Sequence, residues 1–398
     1  MKNLQIMLVL LALIAGCGKK SGSQGIETVP GLSCENVSMA EGTNSTSNLE
    51  LKLTLDHGSS KSVTVMYSTI DGTAKSGADF TPVTNQTITF QPNETEKKVT
   101  VSVVADDLKE ADEVFQVQLQ NPVNAVLVKT ISNIILKNDD TRIGFNNTGF
   151  EAATAYAGYT LFWNDEFNGS ALDVSAWSNE SGDGCPGLCN WGNNELQYYT
   201  SPPNNLFFQD GKMIIEAKAE SFGGKNYTSA RIKTQHKKTF QFGRIDIRAI
   251  MPKGKGLWPA FWLLPQDNVY GGWPKSGEID MMELVGHEPS KVSGTLHYGP
   301  GPNSTYISRN YFLPVSDFND QFHVFSIEWS QDQIKWYVDD NLYSTINKTD
   351  IGANVYPFNE KFYFIINLSV GGNLPGTPDA STLFPQWLII DYIRVYQK

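Results

Sequence analysis

The stretch 276-SGEIDMMELVG-286 sets three acids close together, Glu278, Asp280 and Glu283. Successive side chains of a β-strand point to opposite faces, so Glu278 and Asp280 share one face while Ile279 and Met281 point away. In unbroken register Met282 would come next on the acidic face, and Glu283 would point into the opposite layer. One extra residue, a β-bulge at Met281 or Met282, returns Glu283 to the face of Glu278. Three acids on one face repel each other and would weaken a purely structural sheet. Close carboxylates also titrate as a coupled set and hold a proton near neutral pH. Hydrolysis of a glycosidic bond needs that division, one ionised carboxylate and one protonated acid. An exposed acidic strand or a calcium site is the plainer alternative, but the acids sit among Ile, Met and Leu and follow a Trp-rich stretch.

Outward from this stretch the alternation continues in KMIIEAKAE, GRIDIRAI, HVFSIEWS and IKWYV, with no segment that reads as a long helix. GEIDMMELVG resembles the E-x-D-x-x-E signature of family 16 glycoside hydrolases in its bulged form. LFWNDEFNG (161–169), WGNNELQYYT (191–200), SARIKTQ (229–235), GLWPAFWLLP (256–265), GTLHYG (294–299), FIINLSVGG (364–372) and IDYIRVYQ (390–397) carry the same resemblance across 159–398. Within the family, WGNNELQYYT and GLWPAFWLLP are most similar to the laminarinases, which are endo-acting β-1,3-glucanases. The resemblance implies an all-β protein whose catalytic domain is a jelly-roll sandwich with an open cleft, and a retaining mechanism. Glu278 is then the nucleophile, Glu283 the general acid/base, and Asp280 the residue between them that tunes the nucleophile. Relatives acting on agar, carrageenan or porphyran share the signature, and a glucan-binding protein without catalysis is the reading from another class. All three acids are present here, and the Arg and Lys residues do not cluster around the motif.

For the substrate, Trp258 and Trp262 correspond to family tryptophans that stack on glucose rings, with Trp273 a third candidate; each is equally a core residue on sequence grounds. Asn194 and Arg231 match positions that bind sugar hydroxyls in relatives, Glu195 is a candidate beside them, and His297 resembles a histidine near the catalytic acids. The resemblance also implies a structural calcium on the far side of the sandwich, held by the Asp391 carboxylate and the main-chain oxygens of Glu166 and Gly211. Catalysis itself calls for no cofactor.

All nine tryptophans of the 398 residues fall at or after Trp163, so composition changes sharply between two halves. Residues 30–140 hold short alternating stretches such as LELKLTL, VTVMYST and EVFQVQLQ, the pattern of a second β-sandwich. AEG (40–42), DGTAKSGADFTP (71–82) and NDD (138–140) resemble a Calx-beta domain, an Ig-like sandwich. Such domains gather calcium-binding acids at one end, here Glu41, Asp79, Asp106, Asp107, Asp139 and Asp140, which are otherwise solvated turn acids. Residues 141–158 read as a linker between this domain and the catalytic one at 159–398. The N-terminal MKNLQIMLVLLALIAGC has the form of an export signal, and IAGC resembles the lipobox of bacterial lipoproteins, so residues 1–17 are expected to be a signal peptide. Lipidation at Cys17 would place the protein at the cell envelope, tethered to the membrane by spacer 18–29. Cys185 and Cys189 can close a small ring, since no further Cys or His nearby offers metal ligands, and Cys34 has no evident partner. A net charge of -11 argues against nucleic acid as a partner, and a monomer that binds polysaccharide is the expectation.

Overall fold

The computed structural model describes residues 28–398, so the expected export signal, most of the expected spacer and Cys17 lie outside the described residues. Among the described residues the regular structure is almost all strand, and its only other elements are short 3₁₀ turns at Cys189–Gly192 and Lys348–Ile351. By internal contacts it divides into two units. The first comprises residues up to Glu41, Ser45–Ala105 and Glu113–Leu136, and the second comprises Gly42–Asn44, Asp106–Asp112 and Lys137–Lys398.

The strands of the first unit form a four-stranded and a five-stranded sheet. In Ser47–Leu55 the alternation predicted from LELKLTL is realised, with Leu49, Leu51, Leu53 and Leu55 buried and the residues between them turned outward. These pack with Val63, Val65, Phe80, Phe115 and Val117, where the Phe80 and Phe115 rings stack at 4.2 Å. Cys34 is buried and unpaired. Contacts divide the six acids expected to gather in this domain: Glu41 and Asp79 belong to the first unit, the other four to the second. Asp79 accepts from the Lys75 N–H, Asp106 from the Leu108 N–H and Asp139 from the Gly42 N–H, while Asp107 faces Arg142.

The second unit is a two-sheet sandwich. One sheet holds β1 (Ser178–Glu180), β2 (Arg231–Lys233), β3 (Leu257–Pro265), β4 (Glu278–Leu284), β5 (Lys291–Tyr298), β6 (Thr305–Phe312) and β7 (Phe362–Val370), ordered β1-β2-β7-β3-β4-β5-β6. The opposite, eight-stranded sheet includes Gly243–Ile250, His323–Ser330, Gln333–Val338 and Gln386–Gln397. Between the sheets lie Phe261, Leu263, Met282, Leu296, Ile366 and Leu368 from the first, and Ile245, Ile327, Trp336, Ile390 and Val395 from the second. This apolar layer fixes the register of every strand, because a one-residue slip would turn its side chains to the wrong face.

Residues 141–158 are not a free linker, and that expectation is corrected. Ile143 and Phe145 pack on Ile214, Ile250, Phe322 and Ile389, and Phe150 and Ala152 pack on Val324 and Tyr392. Arg248 donates to the Phe150 carbonyl at 2.7 Å, and the Ala152 N–H donates to Tyr392 Oη at 2.9 Å. The outer face of the eight-stranded sheet is apolar here and needs a cover, and this segment supplies it.

Candidate active site

The bulge lies where the alternation breaks. On one side β4 pairs with β3 as Trp262↔Asp280 and then Phe261↔Met282, leaving Met281 as the extra residue. On the other side β5 pairs as Asp280↔Thr295 and then Glu283↔Ser293, so two residues oppose one at Gly294. The kink frees the Asp280 carbonyl, which accepts a 3.0 Å hydrogen bond from Trp336 Nε1 of the opposite sheet. Gly294 makes room for that indole, since a Cβ there would meet Trp336 Cδ1 at 2.4 Å.

The restored register aligns a row of residues across all seven strands: Glu180, Arg231, Asn367, Ala260, Glu283, Ser293 and Asn310. A second row sets Glu278 beside His297 and Tyr306, and a third runs through Trp262, Asp280, Thr295 and Ser308. All three acids therefore share the sheet face that points away from the core.

Each glutamate has its own indole donor. Trp273 Nε1 donates to Glu278 Oε2 at 2.8 Å, and Trp258 Nε1 donates to Glu283 Oε1 at 3.1 Å. His297 Nε2 lies 3.2 Å from Asp280 Oδ2 and 4.0 Å from Glu278 Oε1, and its Nδ1 meets Ser304 Oγ at 3.1 Å. Burial, with the Asp280 charge adding to it, pushes the Glu278 carboxyl up to about 8. Burial and the Glu283 charge raise Asp280 well above its ordinary value, opposed by a hydrogen bond with Glu278. Burial raises Glu283 too, against the pull of His297 and the Trp258 N–H. Desolvation of three neighbouring carboxyls makes full ionisation costly, so the cluster retains protons at neutral pH. One donor atom each from Glu278, Asp280 and His297 lies within 4.8 Å of the other two, so this trio is one of two groups among the described residues close enough to hold a metal ion.

On the β2–β7 side, Arg231 Nε donates to Glu180 Oε2 at 2.6 Å and Lys233 Nζ lies 2.6 Å from Glu180 Oε1. Burial would raise the Glu180 carboxyl, yet these two cations overcome it and hold it below its ordinary range. The Arg231 guanidinium lies 4.9 Å from the Trp262 ring, and Trp262 Nε1 donates to Asn367 Oδ1 at 2.8 Å. Asn194 is exposed, with positive φ, and its Nδ2 donates to Asn373 Oδ1 at 2.8 Å. Trp273 is 52% exposed and Trp258 and Trp262 are half-buried, so each has surface to offer a ligand.

Glu195 is corrected. It is 4% exposed, and its Oε2 accepts from Gln197 Nε2 at 2.6 Å, Ser369 Oγ at 3.0 Å and Tyr199 Oη at 3.2 Å. It is tied down on the outer face of β7, where Ser369 shares the side of Asn367, and these three donors take up its carboxylate. Glu180, Asn367 and Trp336 are members of the site that the sequence did not mark. Their neighbours are set by strand pairing across long loops, for which the sequence carries no local signal.

The calcium site expected at Asp391, Glu166 and Gly211 does not fit the residues present. Asp391 Oδ2 accepts from Arg248 Nη1 at 2.5 Å, and its Oδ1 lies 2.8 Å from Lys212 Nζ. Gly211 forms the tight turn before Lys212 at a φ of +70°, next to the lysine that lies on Asp391. Protein cations already neutralise the carboxylate that a calcium ion would need.

A family model described as Glycosyl hydrolases family 16 matches residues 192–383, and one for the Calx-beta domain matches residues 26–141. A beta-glucanase of Rhodothermus marinus is 38% identical over 268 residues, covering 64% of this chain and 91% of that protein. The glucan endo-1,3-beta-glucosidase A1 of Niallia circulans is 43% identical over 61% of this chain, which spans only 39% of that protein's length. Among solved structures, the endo-beta-1,3-glucanase of Pyrococcus furiosus superposes with a TM-score of 0.57 at 44% identity, covering 60% of this chain and 94% of that one. The chain belongs to family 16 of the glycosyl hydrolases, with a jelly-roll catalytic domain and a Calx-beta β-sandwich before it.

Proposed function

We propose that the chain is a retaining, endo-acting hydrolase of β-1,3-glucan of the laminarin type. The observation that carries this reading is the bulged β4, which holds Glu278, Asp280 and Glu283 on one outer face and gives each glutamate a separate indole donor. The names of the similar glucanases support the substrate. Burial and the Glu283 charge raise Asp280 well above its ordinary value while its hydrogen bond with Glu278 pulls it back, and we read one proton as shared between these two carboxyls. That bond and the Trp273 N–H stabilise Glu278 as the carboxylate that attacks the anomeric carbon. Glu283 holds the proton that goes to the leaving oxygen. Once the glycosyl-enzyme forms, the Glu278 charge is gone, the Glu283 pKa falls, and Glu283 can take a proton from the attacking water. Trp258, Trp262 and Trp273 offer ring faces to glucose, and Arg231 and Asn194 offer hydrogen bonds to its hydroxyls.

The deciding experiment follows laminarin hydrolysis by NMR. Production of the β-anomer first, in oligosaccharides of mixed length, is the expected result. An inert laminarin alongside cleavage of agarose or carrageenan would overturn the substrate and leave the family standing. The lipobox-like IAGC supports export and anchoring through Cys17. Intact mass of membrane-extracted protein carrying a diacylglyceryl addition, lost in Cys17→Ser, is the expected readout.

A further inference from the structure

The stretch 185-CPGLCNWGNN-194 is closed by a disulfide between Cys185 and Cys189. Directly after the ring, Asn190 and Trp191 both adopt left-handed backbone, with φ of +53° and +52°. Side chains other than glycine seldom hold that conformation twice in succession, so neighbours must enforce it. They are present: the Asn190 carbonyl accepts from the Asn193 N–H at 3.2 Å and the Glu195 N–H at 3.1 Å, and its side chain accepts from Lys225 Nζ. The Leu188 N–H donates to the carbonyl of Gly184, just ahead of the ring, at 2.7 Å.

The result of this conformation is the placement of one indole. The Arg231 guanidinium lies 4.5 Å from the Trp191 ring and 4.9 Å from the Trp262 ring, so it is held between two tryptophans. Trp191 is braced in turn against Tyr199, with ring centroids 5.2 Å apart. Its Nε1 is buried with no hydrogen-bond partner, so the indole is held for its ring and not for its N–H. Arg231 Nε is committed to Glu180, which leaves the terminal nitrogens of the fork to meet a ligand. A guanidinium fixed on two faces and one edge loses little freedom when it binds, and that preorganisation is what favours affinity.

We propose that Trp191 is the positioning residue for the sugar-binding Arg231, and that the Cys185–Cys189 ring is the clasp that sets it. Reduction of the clasp to two thiols, by a dithiol that is itself oxidised to a disulfide or by a phosphine that is oxidised to its oxide while water supplies the oxygen and both protons, then loosens substrate binding at the Arg231 end of the sheet. The acids on β4 lie outside the clasped loop and keep their chemistry. This inference rests on the glucanase reading.

The test measures laminarihexaose kinetics for the wild type, Trp191→Ala, Trp191→Phe and the double variant Cys185→Ser/Cys189→Ser, with and without phosphine reductant. Trp191→Ala is expected to raise KM about tenfold, the scale of a lost stacked cation–π contact, with kcat within about twofold. Trp191→Phe should recover most of the affinity. Reductant should raise the wild-type KM towards that of the double variant and leave Trp191→Ala unchanged, because clasp and indole act through the same arginine. An unchanged KM in Trp191→Ala, a fall in kcat alone, or an equal response of Trp191→Ala to reductant would each overturn the proposal. If the wild type ignores laminarihexaose, the substrate reading fails, and the same comparison on the glycan it does cleave decides for Trp191.

Discussion

Glu278 and Glu283 differ in their partners more than in their burial, and that difference is testable one residue at a time. Glu278→Ala should abolish hydrolysis, and azide should rescue it with inverted product, because the small anion enters where the nucleophile stood. Glu283→Ala should still cleave substrates with good leaving groups, and azide should there give retained product. NMR of the anomeric proton reads both outcomes, and a retained product from Glu278→Ala would reverse the assignment. A second prediction concerns stability. The Glu278 carboxyl is pushed from its ordinary 4.5 up to about 8 by burial and the Asp280 charge, so the unfolded chain ionises first. As pH rises from the ordinary glutamate range through about 8, the folded state must give up a proton it favours, and stability falls. Glu278→Gln should therefore raise Tm at pH 9 by several degrees and change it little at pH 4, where both states are protonated. Equal gains at both pH values would point to packing and not to charge.

The bulged strand β4 is an element held from the opposite sheet. Its extra residue would be free to slip along β5 were it not for the Trp336 N–H on the Asp280 carbonyl and the space left by Gly294. Gly294→Ala places a Cβ 2.4 Å from Trp336 Cδ1 and 2.7 Å from Tyr343 Oη, so the indole must move. We expect an overpacking cost of about 1–3 kcal/mol and a larger loss of kcat/KM, near a hundredfold, because the acids are aimed by that contact. Trp336→Phe keeps the bulk but strands a buried carbonyl, at a cost of about 1–3 kcal/mol. Denaturant midpoints and laminarin kinetics together check this. A Trp336→Phe enzyme with wild-type kcat would show that the bulge keeps its shape without the hydrogen bond.

At the scale of the whole molecule, the segment between the two repeats of β-sandwich pattern is part of the catalytic unit. A chain starting at Thr141 keeps Ile143, Phe145, Phe150 and Ala152 on the eight-stranded sheet, whereas a chain starting at Tyr156 uncovers Phe322, Ile389 and Tyr392. Both should cleave soluble glucan, since the acids lie on the other sheet. The shorter one should melt several degrees lower, in keeping with the apolar area exposed. Equal Tm values for the two would show that the cover contributes nothing. Because Lys212 and Arg248 already neutralise Asp391, the chain starting at Thr141 should also keep its Tm in EDTA. A clear fall in EDTA would restore calcium to this site.

Much of the site was legible in one strand. Period-two alternation in GEIDMMELVG required a bulge if the three acids were to act together, and the pairing of Asp280 and Glu283 with Thr295 and Ser293 places it there. Alternation depends only on the covalent geometry of a strand, so the sequence alone determined which residues face out, that both units are sandwiches, and that Cys185 and Cys189 could meet. What the sequence could not carry is which groups meet across sheets and loops. Trp336 beneath Asp280, Glu180 beside Arg231, and Lys212 on Asp391 are each separated from their partners by long stretches of chain. The burial of Glu195 among Gln197, Tyr199 and Ser369 and the laying down of residues 141–158 on the outer sheet belong with them. Those contacts exist because packing two sheets decides which charges lose water and which apolar faces need cover, and only the tertiary structure makes that choice.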